Sequence, residues 1–325
     1  SFSAVALFIQ HARRVRPGFE PGEDEMGSMA RLCRRVEGMP LAIELAATWM
    51  RVLSVPEIAD EIEREIDFLS AQRRDLPERH RSVRAVFDQS WQMLSSDEQQ
   101  VLSRLSVFRG GFGRQAAEQV ACASLRALSS LATRSLIRRS ETGRYELHEL
   151  IRQFAASKLA ADPVELDRVQ ARHSVCYLNY LAERDQRLHG PQQKAALSEL
   201  TAEIDNIRAA WDWAASHHKS EALYRASRSL SQFFELHNRF KEGEQIYART
   251  TEALRSAGQS EPEEIDPAFV RDALLAIDGF FVFRQGKGAA AYAILAGCVE
   301  RLRTAVAQSG ADPFPLIYTL GYLGI

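Results

Sequence analysis

The sequence predicts a mainly α-helical protein that also contains one short β-hairpin. Along most of the chain, apolar residues recur every three or four positions, which is the spacing of one face of an α-helix. Strand-type patterns lie in residues 135–147, where two short runs flank a turn that contains Gly143. Glycine adopts a positive φ without steric cost, so Gly143 suits a tight turn. From His148 onward the apolar period changes from two to nearly four, which predicts a hairpin running directly into a helix.

The composition indicates a globular protein of two or three domains. The chain has 325 residues, of which 46% are hydrophobic and 26% are charged. A net charge of −2 gives the whole molecule no basic field that would attract DNA or a membrane surface. No apolar run approaches the roughly 18 residues that a membrane-spanning helix needs. The four cysteines have neither metal-ligand nor disulfide spacing, so we expect buried free thiols and a cytoplasmic location.

Both ends of the sequence fall inside helical patterns. The chain begins at Ser1 rather than at a methionine, and it stops at Ile325 within an apolar helical pattern. We therefore expect the chain to be a piece of a longer protein.

Residues 1–75 are predicted to form a helical domain. Gly38 suits the end of one helix, and Pro40 suits the first position of the next because its φ is already set. A further amphipathic helix is predicted over residues 56–69. The polar, arginine-rich stretch 72–81 is interpreted as a linker.

Residues 80–160 are predicted to form a winged helix-turn-helix domain. Ser95 and Glu98 have the spacing of a capping box and predict the start of a helix. A short strand is expected at residues 107–108, and two helices are expected at 114–122 and 124–134. Three helices followed by a hairpin is the element order of a winged helix, in which the helix at 124–134 takes the recognition position.

Residues 163–325 are predicted to be entirely helical and to form a TPR-like α-solenoid. The Asp-Pro pairs at 266–267 and 312–313 mark the starts of successive helix pairs. Their separation implies a repeat of roughly 45 residues, longer than the ~34 of a simple tetratricopeptide repeat. Small residues such as Ala291 and Gly297 are expected to let adjacent helices approach. Each helix pair leaves an apolar face that the next pair covers, which favours a stacked array.

Several short motifs, in order, resemble the STAND class of NTPases, the NB-ARC-type signalling switches, and specifically bacterial regulators with helical repeats. Residues 38–42, GMPLA, resemble the GxPLA element, and residues 147–152, LHELIR, resemble the MHD-type element. Residues 79–83, 90–91, 105–112 and 203–208 also resemble segments of that family. The resemblance covers nearly the whole chain and implies a helical (ARC1-like) domain at 1–75, a winged helix at 80–160 and truncated repeats at 163–325.

The resemblance implies a nucleotide site. In the family, the proline of GxPLA packs on the base and the MHD-type histidine contacts the β-phosphate of ADP, which carries over to Pro40 and His148. No G-x-x-x-x-G-K-[ST] motif and no Walker B strand occurs here, and the family's aspartate is Glu149. ADP or ATP is therefore expected in a full-length parent with an upstream P-loop domain, with no tight binding to this segment and no hydrolysis by it alone.

The resemblance also implies regulatory partners. We expect an unidentified protein or small-molecule inducer on the repeats, and oligomerisation could accompany activation. Helical spacing makes most of the repeat aromatics core residues, but seven are candidates for inducer contact: Trp211, Trp213, Phe233, Phe234, Phe280, Phe281 and Phe283.

Two alternatives to a nucleotide switch stay open. The first is DNA binding by the winged unit through its arginines, namely Arg126, Arg134, Arg138, Arg139 and Arg144. The leucine pattern of the candidate recognition helix favours packing against protein instead. The second is a TPR-like interaction scaffold without a switching role. A zinc site at His148 is not expected, because Arg152 occupies the position where a second histidine would be needed.

Overall fold

The computed structural model describes residues 2–72, 78–255 and 264–324. Its elements are almost all α-helices, and the described residues contain one two-stranded sheet, which confirms the predicted mainly α fold. The chain divides into two compact units, Ser1–Leu166 and Asp167–Ile325. No helix of the described residues is both long and apolar enough to span a membrane.

The first unit opens with a group of packed helices. They are α1 (Phe2–Val15), α2 (Glu23–Arg35), α3 (Pro40–Thr48), a 3₁₀ turn (Trp49–Arg51) and α4 (Val55–Gln72). Gly38 has a φ of +68° and donates its N–H to the carbonyl of Cys33, so it ends the turn after α2 as predicted. Pro40 is the first residue of α3, where its missing N–H costs nothing.

The rest of the first unit contains four helices, the hairpin and one further helix. The elements are α5 (Glu78–Gln92), α6 (Ser96–Leu105), α7 (Arg114–Ala121), α8 (Leu125–Thr133), β1 (Arg138–Arg139), β2 (Tyr145–Glu146) and α9 (Glu149–Leu159). The capping box is confirmed, because Ser95 Oγ accepts from the Glu98 N–H and Glu98 Oε2 accepts from the Ser95 N–H. Gly143 has a φ of +81° in the hairpin turn, as the sequence indicated.

Two local predictions in this part were wrong. Residues 78–81 belong to α5 rather than to a linker, while residues 73–77 lie outside the described part of the chain. Residues 107–108 do not form a strand. Their N–H groups bond to the carbonyls of Arg104 and Leu105 and continue the turn after α6. Phe112 pairs with the hairpin instead. Its N–H donates to the Tyr145 carbonyl, and its carbonyl accepts from the Tyr145 N–H, both at 2.9 Å.

The second unit consists of helices that pack mainly on their neighbours in the chain. They are α10 (Pro163–Ala182, in the unit from Asp167), α11 (Asp185–Leu188), α12 (Gln193–Ser216), α13 (Ser220–Leu236), α14 (Phe240–Arg255), α15 (Pro267–Arg284), α16 (Gly288–Ser309) and α17 (Phe314–Leu323). The two Asp-Pro pairs act as predicted. Asp266 accepts from the Ala268 N–H at 3.0 Å, and Asp312 accepts from the Phe314 N–H at 2.9 Å.

Close helix contact in the second unit depends on glycines that the sequence analysis did not select. A Cβ at Gly243 would lie 2.6 Å from the ring of Phe281, and one at Gly279 would lie 2.8 Å from Leu295. Ala291 is buried as expected. Gly297 is exposed, with no neighbour within 4 Å of a Cβ, so its predicted role in helix approach was wrong.

The cysteines are less uniform than predicted. Cys33 and Cys298 are buried and Cys176 is partly buried, and all four are free thiols. Cys122 is exposed, contrary to the prediction. It follows the last turn of α7 in the left-handed conformation, with a φ of 56°, and this places it at the end of the helix rather than on its packed face.

Candidate functional site

A cleft of about 650 Å³ lies within the first unit, between its opening helices and its hairpin. One wall comes from α1 and α3, and the other from the end of α8, the hairpin and the start of α9. The lining residues are His11, Arg14, Val15, Leu41, Glu44, Thr48, Arg51, Ala132, Thr133, Ser135, Leu136, Ile137, Arg138, Arg139, Glu146, Leu147, His148 and Ile151. The cleft has the size of a small-molecule site.

His148 is an exposed residue in the lining of this cleft and also caps α9. Its Nδ1 accepts a hydrogen bond from the Leu150 N–H at 3.2 Å. Because Nδ1 is an acceptor, the neutral ring carries its proton on Nε2, which is then a donor. The imidazole thus has one nitrogen committed to the helix end and the other available to a ligand.

Three arginines give the cleft an excess of positive charge. Arg14, Arg51 and Arg139 come from three different elements, and within the described residues none of their guanidinium groups has a hydrogen bond or ion pair. Arg138 differs, because it pairs with Glu146 at 3.1 Å. Unpaired guanidinium groups on one cleft favour an anionic ligand with several oxygen acceptors.

The acid that follows His148 does not line the cleft. Glu149 accepts from Nε and Nη2 of Arg152 at 2.8 and 2.7 Å, while Nη1 of Arg152 donates to the Ser106 carbonyl at 3.3 Å. Hydrogen bonds from Arg152 and then Gln153 lower the pKa of Glu149 to about 2. This acid therefore stabilises the first turn of α9, where its negative charge also interacts favourably with the helix dipole.

Pro40 has a different position from His148. It is exposed at the start of α3 and is not among the residues that line the cleft. The cleft is lined instead by its neighbour Leu41 and, one and two turns on, by Glu44 and Thr48. The structure thus places α3 and His148 on the same cleft, whereas Pro40 is not part of its lining.

The arginines proposed for DNA contact have different surroundings. Arg126 is exposed on α8, whereas Arg134 lines a smaller cavity of about 210 Å³ beside Trp49. Arg138 and Arg139 line the large cleft, and Arg144 donates to the Gly111 carbonyl at 2.6 Å. Among residues 2–72, 78–255 and 264–324, no group of three or more metal-binding side chains comes together.

Sequence reasoning did not identify the cleft arginines. Arg14 and Arg51 lie about ninety or more positions before Arg139 in the chain, and no motif contains them. Only the three-dimensional structure, in which they line one cleft, reveals them as a group. The sequence offers one signal for such a group. None of the three arginines has an acidic residue three or four positions away that could pair with it.

No protein-family model matches this chain. Proteins of Mycobacterium tuberculosis and Mycobacterium bovis that carry the name "Putative HTH-type transcriptional regulator" are 36% identical over 235 residues, which is 69% of this chain and 26% of each relative. An uncharacterized protein of M. tuberculosis is 31% identical over 182 residues, 52% of this chain and 46% of that protein. The chain therefore spans about a quarter of the first relatives and about half of the other.

Among solved structures, a Signal Transduction ATPase with Numerous Domains (STAND) protein with a tetratricopeptide repeat sensor, from Pyrococcus horikoshii, aligns with 99% of this chain and 53% of its own. The sequence identity is 14% and the TM-score is 0.33, which is too low to establish a common fold. The chain is thus similar in sequence to bacterial proteins named as HTH-type regulators.

Proposed function

We propose that this chain is the regulatory and sensor segment of a STAND-type signal-transduction ATPase. Its first unit would close over ADP, and its second unit would bind an inducer or protein partner. The observation that carries the proposal is that His148 and three unpaired arginines line one cleft in the first unit. The name of the mycobacterial relatives supports a role in regulating transcription.

The chemistry of ADP suits this cleft. A diphosphate offers several charged oxygens, and hydrogen bonds from guanidinium or imidazole groups to such oxygens are charge-assisted and strong. Arg14 and Arg51 lie on one wall, and Arg139 and His148 lie on the other. A nucleotide held by both walls would keep them together, and its loss or replacement would favour opening.

The chain would not hydrolyse ATP by itself. It contains no P-loop and no Walker B strand, so the phosphate loop and the magnesium ligands would come from another domain of the parent protein. Pro40 would then reach the base only with that domain in place. In the isolated chain we expect weak nucleotide binding that depends mainly on the arginines and His148.

Binding of a fluorescent ADP analogue to the chain tests this proposal. Arg51→Ala and Arg139→Ala should each weaken binding by roughly tenfold or more, since a hydrogen bond to a charged group is worth about 1.5–3 kcal/mol. Arg126→Ala is the matched control, because Arg126 is equally exposed but lies on α8 outside the lining. Equal losses in all three variants would point to nonspecific charge and contradict the proposal.

DNA binding is the second candidate, favoured by the name of the relatives. It predicts that the chain binds duplex DNA at low ionic strength, that affinity falls steeply with added salt, and that Arg126→Ala weakens it. No binding at low salt would exclude this function for the chain. A scaffold without a switch predicts instead that nucleotide binding is independent of His148.

A further inference from the structure

One row of side chains from α3 and the 3₁₀ turn after it lines the cleft of the first unit. The row consists of Leu41, Glu44, Thr48 and Arg51. Their spacing of three or four positions places them on one face of a helix. With a rise of 1.5 Å per residue, the row extends over about 15 Å. A ligand that lies along α3 can therefore contact several of its members at once.

The chemistry of this row changes from one end to the other. Leu41 is apolar and follows the exposed Pro40. Glu44 carries an acid, and Arg51 carries a guanidinium group that has no partner in the described part of the chain. Thr48 lies between these two, but its hydroxyl already donates to a carbonyl of its own helix at 2.7 Å. The groups open to a ligand are thus apolar, acidic and cationic, in that order.

The carboxylate of Glu44 is open to a ligand. Its side chain is 35% exposed, and neither of its oxygens is buried. Among the described residues it accepts no hydrogen bond, because its contact with Nδ1 of His11 is 3.8 Å long. The other acid of the lining differs, since Glu146 pairs with Arg138 at 3.1 Å. Glu44 therefore has unused acceptor capacity in a cleft that is otherwise rich in arginine.

This acceptor suits a sugar rather than a phosphate. A carboxylate repels phosphate oxygens but accepts hydrogen bonds from neutral hydroxyl groups. The adjacent hydroxyls of a ribose supply such donors, and an acid binds ribose in this way in dinucleotide-binding folds. A nucleoside diphosphate carries an aromatic base, a ribose and an anionic diphosphate, in that order. It matches the row with its base towards Leu41, its ribose at Glu44 and its diphosphate towards Arg51.

We propose that Glu44 accepts hydrogen bonds from the ribose hydroxyls of the bound nucleotide and so selects ribonucleotides over 2′-deoxyribonucleotides. The inference rests on the proposed function and adds to it the residue that recognises the sugar. It also sets the direction of the ligand along α3.

The test compares the affinities of unlabelled ADP and 2′-deoxy-ADP by equilibrium dialysis, because a dye on the ribose would block the contact. The wild type should favour ADP by roughly tenfold, and Glu44→Ala should bring the ratio of the two affinities to about one. Glu44→Gln keeps an uncharged acceptor and should give a ratio of roughly two to five. Glu118→Ala is the matched control, since Glu118 is an exposed acid on α7 outside the lining, and should keep the wild-type ratio.

The ratio separates sugar recognition from the general effect of charge. Removal of an acid from the cleft should favour both nucleotides, so an equal gain for both with an unchanged ratio would show that Glu44 only repels phosphate. A wild-type ratio of one would also overturn the inference.

Two further outcomes are distinct from these. Loss of a preference for ADP over inosine diphosphate in Glu44→Ala, with the ribose preference intact, would place Glu44 at the base and overturn the inference. Failure of the wild type to bind either nucleotide would contradict the proposed function and this inference with it. Thermal unfolding of each variant verifies that it is folded.

Discussion

Two buried aspartates on α15 should respond in opposite ways to removal of their charge. Asp272 accepts a bidentate hydrogen bond from Arg301, at 2.7 and 2.9 Å. Asp278 is 6% exposed, and its Oδ1 has no hydrogen-bond partner within the described residues. Burial raises the pKa of Asp278 to about 7, with a further rise from Glu244 and a smaller opposing effect of Lys287. Asp278 therefore opposes folding when it is ionised.

The sign and size of the effect follow from linkage. The pKa of Asp278 is higher in the folded chain than its ordinary value of 3.8, so the folded state loses stability as pH rises from about 4 to about 7. At pH 8 the full cost is about 4 kcal/mol, of which about 2.5 kcal/mol develops between pH 5 and pH 8. Asp278→Asn removes this pH dependence, although its amide leaves an unpaired group that costs about 1–3 kcal/mol at every pH.

Urea unfolding at pH 5 and pH 8 measures the effect, with hydrogen exchange of residues 267–284 reporting the second unit. We expect Asp278→Asn to gain about 2.5 kcal/mol relative to the wild type on going from pH 5 to pH 8. Asp272→Asn is the matched control and should lose about 1–3 kcal/mol at pH 8, because it breaks an ion pair whose arginine is half exposed. A constant difference between the wild type and Asp278→Asn at both pH values would refute the reasoning.

Four further substitutions test the packing and the helix ends. Ser95→Ala should lower the free energy of unfolding by about 1 kcal/mol in denaturant titration, since it removes the cap of α6; no change would contradict the capping box. Gly243→Ala should lower the free energy of unfolding by about 1–2 kcal/mol, because its Cβ would meet the Phe281 ring. Gly297→Ala should raise the free energy of unfolding by about 0.5–1 kcal/mol, because a Cβ there meets no other atom. Equal effects of the two substitutions would contradict the assigned contacts. Glu149→Gln should cost no more than about 0.5 kcal/mol at pH 7, because the carboxylate is more than half exposed; this difference should shrink as pH falls from about 4.5 towards 2.

Helix starts were predictable because their causes are local. Pro40, Ser95 and the Asp-Pro pair at 266–267 each act within a few residues of their own position, and the structure places a helix start at each. The hairpin and its turn at Gly143 followed from the same kind of short-range signal.

Features that depend on distant residues were not predictable. The pairing of Phe112 was missed because Tyr145, more than thirty positions away, supplies the pairing groups. Gly243 is needed because Phe281 packs against it from another helix, and nothing near Gly243 in the sequence indicates that contact. Burial of a glycine is a property of the fold rather than of its neighbours in the chain.

The residues of the candidate site were also predictable only where the signal is local. His148 stood out because a change of period from strand to helix occurs at that residue, and the structure places it on the cleft. The prediction that it contacts a phosphate stays a prediction. The arginines that accompany it come from separate elements, so only the three-dimensional arrangement brings them together.

The ratio of ADP affinity to AMP affinity in the wild type and in His148→Ser is the most direct test of the proposed nucleotide contact. Serine keeps a side-chain cap for α9, so the variant removes the imidazole donor and leaves the helix end supported. If His148 contacts the β-phosphate, the substitution should weaken ADP binding by roughly tenfold or more and leave AMP binding unchanged. An ADP-to-AMP ratio that is the same in both proteins would contradict the account.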